Sequence, residues 1–221
     1  MKYDSIFDVV GRIMVGPSSS HTAGACRIGY VSHIIFGGMP LEAKIYLHGS
    51  FAETYRGHRS DVAIVGGLLG YKPDDERIPF SFQHAQEKSM KFKFEMADLG
   101  PDYHPNSIKI VMKTDKKQLS IVGSSIGGGN IRIKEIDGLE AGFDADSPTI
   151  VEVHDDIPGV LANIASVVSI FDINISEMHL SRNIRKKIAM SWIELTKQIP
   201  DELISALRKI PEMKEVRAIN V

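Results

Sequence analysis

Hydroxyl and imidazole side chains are concentrated beside glycines at several places in the first two-thirds of the chain. The first is the segment GPSSSHTAG at residues 16–24, and the residues that directly follow it predict the start of a helix. Hydroxyls and free backbone N–H groups at a helix start bind anions, so this segment predicts a site for a carboxylate or a phosphate. A helix N-cap with spare serines is an equally good interpretation.

A histidine suited to general-base chemistry lies at the second place. The predicted strand 43–50 ends at His48-Gly49-Ser50, and Gly57-His58 comes just before the apolar helix predicted at 62–69. The positive end of a helix favours the neutral imidazole, which accepts protons near pH 7. A capping or surface histidine is the alternative interpretation.

Two further polar segments adjoin predicted strands. His104-Pro105-Asn106 precedes an alternating strand at 107–113, and GSSIGGGN occupies residues 123–130 between two β-rich segments. The glycine run lacks the Lys-Ser/Thr pair of a phosphate-binding P-loop, and no long helix follows it as in a dinucleotide-binding fold. A simple hairpin turn is the alternative to a ligand site.

Composition excludes several classes of function. Among 221 residues the net charge is −2, no apolar run approaches the roughly 20 residues of a membrane span, and the N-terminus lacks the apolar core of a signal peptide. We therefore expect no nucleic-acid or membrane partner and a cytoplasmic location. The single cysteine, Cys26, cannot form an internal disulfide, and an iron–sulfur cluster usually needs about four cysteines. No histidines have the spacing of zinc ligands. We therefore expect no metal to be ligated by this chain.

Glycine usage predicts two domains. Of the 19 glycines, 18 precede residue 148, which indicates a loop-rich α/β domain at 1–147 and a more regular domain at 148–221, joined by the segment 142–148. The second domain alternates strand 149–154, a helical pattern from 157 to 171, strands 173–180 and 187–195, a helix from 200, and strand 214–221. This βαββαβ order predicts a ferredoxin-like fold, with both helices on one face of a four-stranded antiparallel sheet, and an α+β class for the whole chain.

The second domain resembles an ACT domain through HDDIPGVL at 154–161 and Ile173-Asn174-Ile175. In that family the Pro-Gly-Val-Leu turn commonly faces an amino-acid effector where two domains pair. The resemblance implies effector contacts at Pro158, Gly159, Val160 and Asn163. A domain that only dimerises the protein is the alternative.

The polar segments together resemble the β chain of L-serine dehydratases that use a 4Fe-4S cluster. The markers, in order, are residues 5–8 (SIFD), GPSSSHT at 16–22, Gly49-Ser50, Gly57-His58, Asp61, His104-Pro105-Asn106 and SIGGG at 125–129. The family's Gly-Lys-Gly-His-Gly-Thr-Asp stands here as Tyr55-Arg-Gly-His-Arg-Ser-Asp61, so Arg59 replaces a small residue.

The resemblance implies conversion of L-serine to pyruvate and ammonia by a complex in which a separate α subunit carries the cluster. It implies His58 as the base for the α-proton, His21 as the second choice, and Asp61 as an orienting group. The implied substrate-binding residues are Ser18, Ser19, Ser20, Thr22, Ser50, Asn106, Gly127, Gly128 and Gly129. We expect the chain to be inactive alone and to form homodimer contacts through either domain.

Two rival functions remain open at this stage. One is a non-catalytic regulatory subunit that binds an amino acid while all chemistry occurs on the α subunit. It predicts that substitutions at His21 and His58 change the response to serine but spare turnover at saturation. The other is a scaffold that only assembles the complex, and it predicts no ligand binding.

Overall fold

The computed structural model describes residues 13–220, so the marker segment 5–8 lies outside the described residues. The chain divides into two compact units after Gly138, and the sequence-based domain boundary at 147 stays a prediction. The helices and strands of the first unit are α1 (Gly24–Phe36), β1 (Glu42–Leu47), α2 (Ser50–Thr54), α3 (Ser60–Leu68), α4 (Ser81–Glu87), β2 (Lys91–Met96), β3 (Ser107–Lys113), β4 (Gln118–Gly127) and β5 (Asn130–Ile136).

In the first unit the strands are ordered β2-β1-β3-β4-β5. β1 pairs in parallel with β2 and antiparallel with β3, and the rest of the sheet is antiparallel. Alternation places Ala43, Ile45 and Leu47 of β1 in the core, as the period-2 pattern predicts.

Helices α1 and α3 lie very close together. A Cβ at Gly67 of α3 would stand 2.2 Å from the backbone oxygen of Cys26 in α1, so only glycine permits this approach. The segment before α1 carries His21 and the segment before α3 carries His58, so the packing of these two helices determines where the two histidines lie.

The second unit contains β6 (Leu139–Phe143), β7 (Thr149–Asp155), α5 (Val160–Ile170), β8 (Ile175–Asn183), β9 (Ile188–Leu195), α6 (Asp201–Leu207) and β10 (Met213–Ile219). Its main sheet has the order β10-β7-β9-β8, with every pairing antiparallel. Ile164 of α5 and Leu203 of α6 share one core with Ile150, Ile193 and Val216 of the sheet. Both helices therefore cover one face, and the predictions of a ferredoxin-like unit and an α+β class are confirmed.

Two local expectations differ from the structure. Ile157, assigned to the helical pattern, lies before α5 and is 53% exposed. The strand predicted at 173–180 is displaced to Ile175–Asn183, because residues 171–174 form the turn that follows α5. No helix in the part of the chain that the structure describes has the length and apolarity needed to cross a bilayer.

Candidate active site

His21 lies in a single π-helical turn, Ser19–Ala23, that leads directly into α1. The Ser18 hydroxyl caps this turn by accepting from the His21 N–H at 3.1 Å. Both ring nitrogens of His21 are hydrogen-bonded to serine hydroxyls, Nδ1 to Ser20 Oγ and Nε2 to Ser50 Oγ, each at 3.0 Å. The π turn thus fixes the ring, and π turns are frequent at functional sites.

His58 stacks beside His21, with the ring centroids 4.7 Å apart and the planes inclined by 33°. Thr22 holds the His58 backbone, since its hydroxyl donates to the His58 carbonyl at 3.0 Å. His58 Nδ1 lies 3.3 Å from the Thr54 carbonyl oxygen. Because a carbonyl only accepts, Nδ1 carries the proton, and Nε2 is the nitrogen able to receive one. The sequence indicated that the His58 ring faces the start of α3. In the structure the ring instead binds the end of α2.

The proximity of the two rings affects the protonation of His21. Burial is the larger cause and the positive charge of a protonated His58 the smaller cause of a pKa of His21 below its ordinary value of 6.5. The buried Phe51 ring packs edge-to-face with the His21 ring, with the centroids 5.2 Å apart, and contributes to this burial. His21 is accordingly neutral at physiological pH.

A glycine brings the third polar segment to the site. Gly49 has a φ of +53°, and a Cβ there would stand 2.6 Å from the Pro105 backbone oxygen. The link between β1 and α2, which leads into Ser50, thus lies against the segment His104-Pro105-Asn106. The Asn106 carbonyl in turn accepts from the Ser125 N–H at 2.8 Å, which ties this segment to β4.

The glycine run forms the hairpin between β4 and β5. Gly127 pairs with Asn130, and φ values of 60° and 81° at Gly128 and Gly129 match a two-residue type I′ turn. Ser125, just before this turn, donates through its hydroxyl to the Ser20 carbonyl at 2.8 Å. The hairpin is therefore attached to the π turn that carries His21.

The structure brings together six of the predicted site residues: Ser18, Ser20, His21, Thr22, Ser50 and His58. Ser19 is half-buried in the same turn, and its carbonyl accepts from the Gly24 N–H. Thr22 is buried and holds the backbone of His58. Sequence reasoning gave no role to Ser125 or to Arg27, whose contacts arise only from tertiary packing.

Asp61 and Arg59 belong to the start of α3. Asp61 Oδ1 accepts from the Val62 N–H at 2.9 Å, and burial is the main cause of a raised pKa of Asp61. Arg59 has a φ of +54°, a conformation that glycine adopts freely, which explains the small residue usual in the family. Its guanidinium donates to the Pro79 carbonyl at 3.2 Å.

The residues of this chain do not fit an iron–sulfur cluster. Cys26 is fully buried, and its thiol donates to the Tyr71 carbonyl. Burial, assisted by Asp75 and Asp74, raises the pKa of the Cys26 thiol far above its ordinary value, whereas the metal ligand is the thiolate. Within residues 13–220, no group of three or more His, Cys, Asp or Glu side chains could hold a metal ion.

The residues predicted to contact an effector surround the start of α5. Gly159 is the N-cap with a φ of +93°, and none of the described side chains caps the helix. Pro158 and Asn163 are exposed, whereas Val160 is buried in the core of the second unit. Effector binding at these residues stays a prediction.

Comparison with known proteins assigns the family. The model of the family described as "Serine dehydratase beta chain" matches residues 5–136. The chain belongs to this family. It is 43% identical to the "Probable L-serine dehydratase, beta chain" of Bacillus subtilis (strain 168), over 99% of each chain. It is 38% identical to the "L-serine dehydratase, beta chain" of Peptoniphilus asaccharolyticus, over 98% of each. The solved ACT domain from GTP pyrophosphokinase of Chlorobium tepidum aligns with 32% of this chain and 94% of its own, at 27% identity and a TM-score of 0.27.

Proposed function

We propose that this chain is the β subunit of a cytoplasmic L-serine dehydratase, which converts L-serine to pyruvate and ammonia together with an α subunit. The pairing of His21 and His58 among serine hydroxyls carries the proposal, because it joins segments that are far apart in the sequence. The 4Fe-4S cluster that the family resemblance implies is assigned to the α subunit, since Cys26 is unsuited to hold it.

His58 is the proposed base for the α-proton of serine. Its Nδ1 is committed to the Thr54 carbonyl, and no described residue hydrogen-bonds its Nε2, so this nitrogen is able to take the proton. His21 is less suited to this role because serine hydroxyls occupy both of its nitrogens. We assign His21 the task of holding the His58 ring in place. Because the His21 ring is neutral, it does not repel the proton that His58 acquires.

The serine hydroxyls and the hairpin are proposed to hold the substrate carboxylate. Ser18, Ser19, Ser20 and Ser50 offer hydroxyls around the two rings, and Asn106, Gly127, Gly128 and Gly129 are proposed to form the wall of the pocket. Asp61 is proposed to orient His58 indirectly. Its carboxyl group accepts from the Val62 N–H and so stabilises the start of α3, the helix that follows His58.

The test compares His58→Ala with His21→Ala in the complex with the α subunit, using pyruvate formation at saturating L-serine. We expect His58→Ala to abolish turnover while assembly with the α subunit is intact. His84→Ala, a change to a histidine bonded to Tyr71 in the same unit, is the matched control and is expected to retain turnover. Near-normal turnover by His58→Ala, with an altered response to serine concentration, would instead support the non-catalytic regulatory function.

A further inference from the structure

The guanidinium of Arg27 in α1 is buried, and the proposed mechanism does not use it. Its side chain is 5% exposed, and among the described lysines and arginines it is the one that is buried. Burying a guanidinium removes it from water, which is unfavourable unless the protein provides compensating contacts. Arg27 Nη1 donates to the Gly129 carbonyl at 3.1 Å, which places the charge at the glycine hairpin.

The turn of this hairpin consists of glycines. Gly128 and Gly129 both have positive φ, and glycine exchanges between conformations more readily than any other residue. The bond from Arg27 fixes the carbonyl of the second turn residue against α1. Helix α1 itself follows directly from the π turn that carries His21. Arg27 therefore links the turn to the helix that follows the histidine.

The other side of the hairpin is attached to the same region by a separate bond. The Ser125 hydroxyl donates to the Ser20 carbonyl, and the Ser125 N–H donates to the Asn106 carbonyl, both at 2.8 Å. These bonds hold the end of β4, whereas the bond from Arg27 is made to the turn itself. A loss of Arg27 is thus expected to loosen the turn while the histidines and β4 stay in place.

We propose that Arg27 is a positioning residue, which fixes the turn at Gly128 and Gly129 where the substrate carboxylate is proposed to bind. This inference rests on the proposed function. Arg27 acts on binding and leaves proton transfer at His58 unaffected.

The test uses Arg27→Ala and Arg27→Lys in the complex with the α subunit, with pyruvate formation measured against L-serine concentration. We expect Arg27→Ala to raise KM by roughly ten- to hundredfold, the effect of one lost charged hydrogen bond, with kcat changed by less than about threefold. The KM of Arg27→Lys is expected to lie between those of the unsubstituted complex and Arg27→Ala. Millimolar guanidinium is expected to lower the KM of Arg27→Ala. Arg132→Ala, which removes an exposed arginine from the same hairpin, should match the unsubstituted complex.

Hydrogen exchange of residues 126–130 in the full chain provides a second measurement that is independent of activity. We expect faster exchange in both Arg27 variants than in Arg132→Ala. If Arg27→Ala fails to fold, Arg27→Lys decides, with a raised KM in support. A KM within a factor of two of the unsubstituted complex, or unchanged exchange of the turn, overturns the inference. An unsubstituted complex without serine turnover overturns the proposed function instead, and the exchange measurement still decides whether Arg27 fixes the turn.

Discussion

Glu152 is a buried acid in the second unit whose replacement by glutamine should alter the pH dependence of stability. It is fully buried, and Ser191 Oγ donates to its Oε1 at 2.9 Å. None of the residues that the structure describes hydrogen-bonds its Oε2. Burial, only partly offset by the bond from Ser191, raises the pKa of Glu152 from 4.5 to about 7.

The direction of the effect follows from proton binding in the two states. Between pH 4.5 and about 7 the folded state keeps the Glu152 proton while the unfolded state releases it, so stability falls as pH rises and levels off above the folded pKa. A shift of this size corresponds to about 3 kcal/mol, with about 2 kcal/mol of it lost between pH 5 and pH 8. Glutamine keeps an acceptor for Ser191 and never ionises, so Glu152→Gln should lose this decline.

Urea denaturation followed by tryptophan fluorescence measures the effect. Trp192 is the only tryptophan of the chain, is buried in the second unit, and donates to the Ala141 carbonyl. His154 is buried on the same face of β7 and is unchanged in both proteins, so the comparison isolates Glu152. Glu177→Gln, an exposed change on β8, is the matched control. Parallel curves of stability against pH for Glu152→Gln and the unsubstituted protein would refute the reasoning.

Two further predictions concern the first unit. Arg59→Gly relieves a positive φ and should raise the free energy of unfolding by about 0.5–1 kcal/mol. Arg56→Gly is the control and should lower the free energy of unfolding, because φ at Arg56 is not positive. Urea denaturation followed by circular dichroism measures both, and equal effects of the two changes would count against this reasoning. An NMR titration should give His21 a pKa below 6.5, and His58→Asn should raise that pKa without bringing it to 6.5, since burial is the larger cause. A His21 pKa that does not respond to His58→Asn would show that the rings are not adjacent in solution.

The fold of the second unit was predictable because its signals are local. The strand predicted around Trp192 and the helical spacing of Val160, Ile164 and Val168 each lie within one element, and both elements are confirmed. The half-buried character expected of that strand is wrong, because Ala189 to Ile193 are buried on both of its faces. The displacement of β8 was not predictable, because its apolar spacing changes part way along the strand.

The composition of the site was easier to predict than its geometry. The residue types around His21 and His58 indicated a polar site, but their stacking depends on the close approach of α1 and α3 at Gly67, which no local pattern reveals. Arg27 was missed because a single arginine in a helix ordinarily indicates a solvent-exposed position. Its contact with Gly129 spans 102 residues of sequence.

The most direct test of the account is to mix this chain with its α subunit under anaerobic conditions and to assay pyruvate formation from L-serine, beside each chain alone. The account predicts turnover only in the mixture, and loss of that turnover with His58→Ala. Full activity of the α subunit alone would contradict it, because the histidine pair of this chain would then have no part in the reaction.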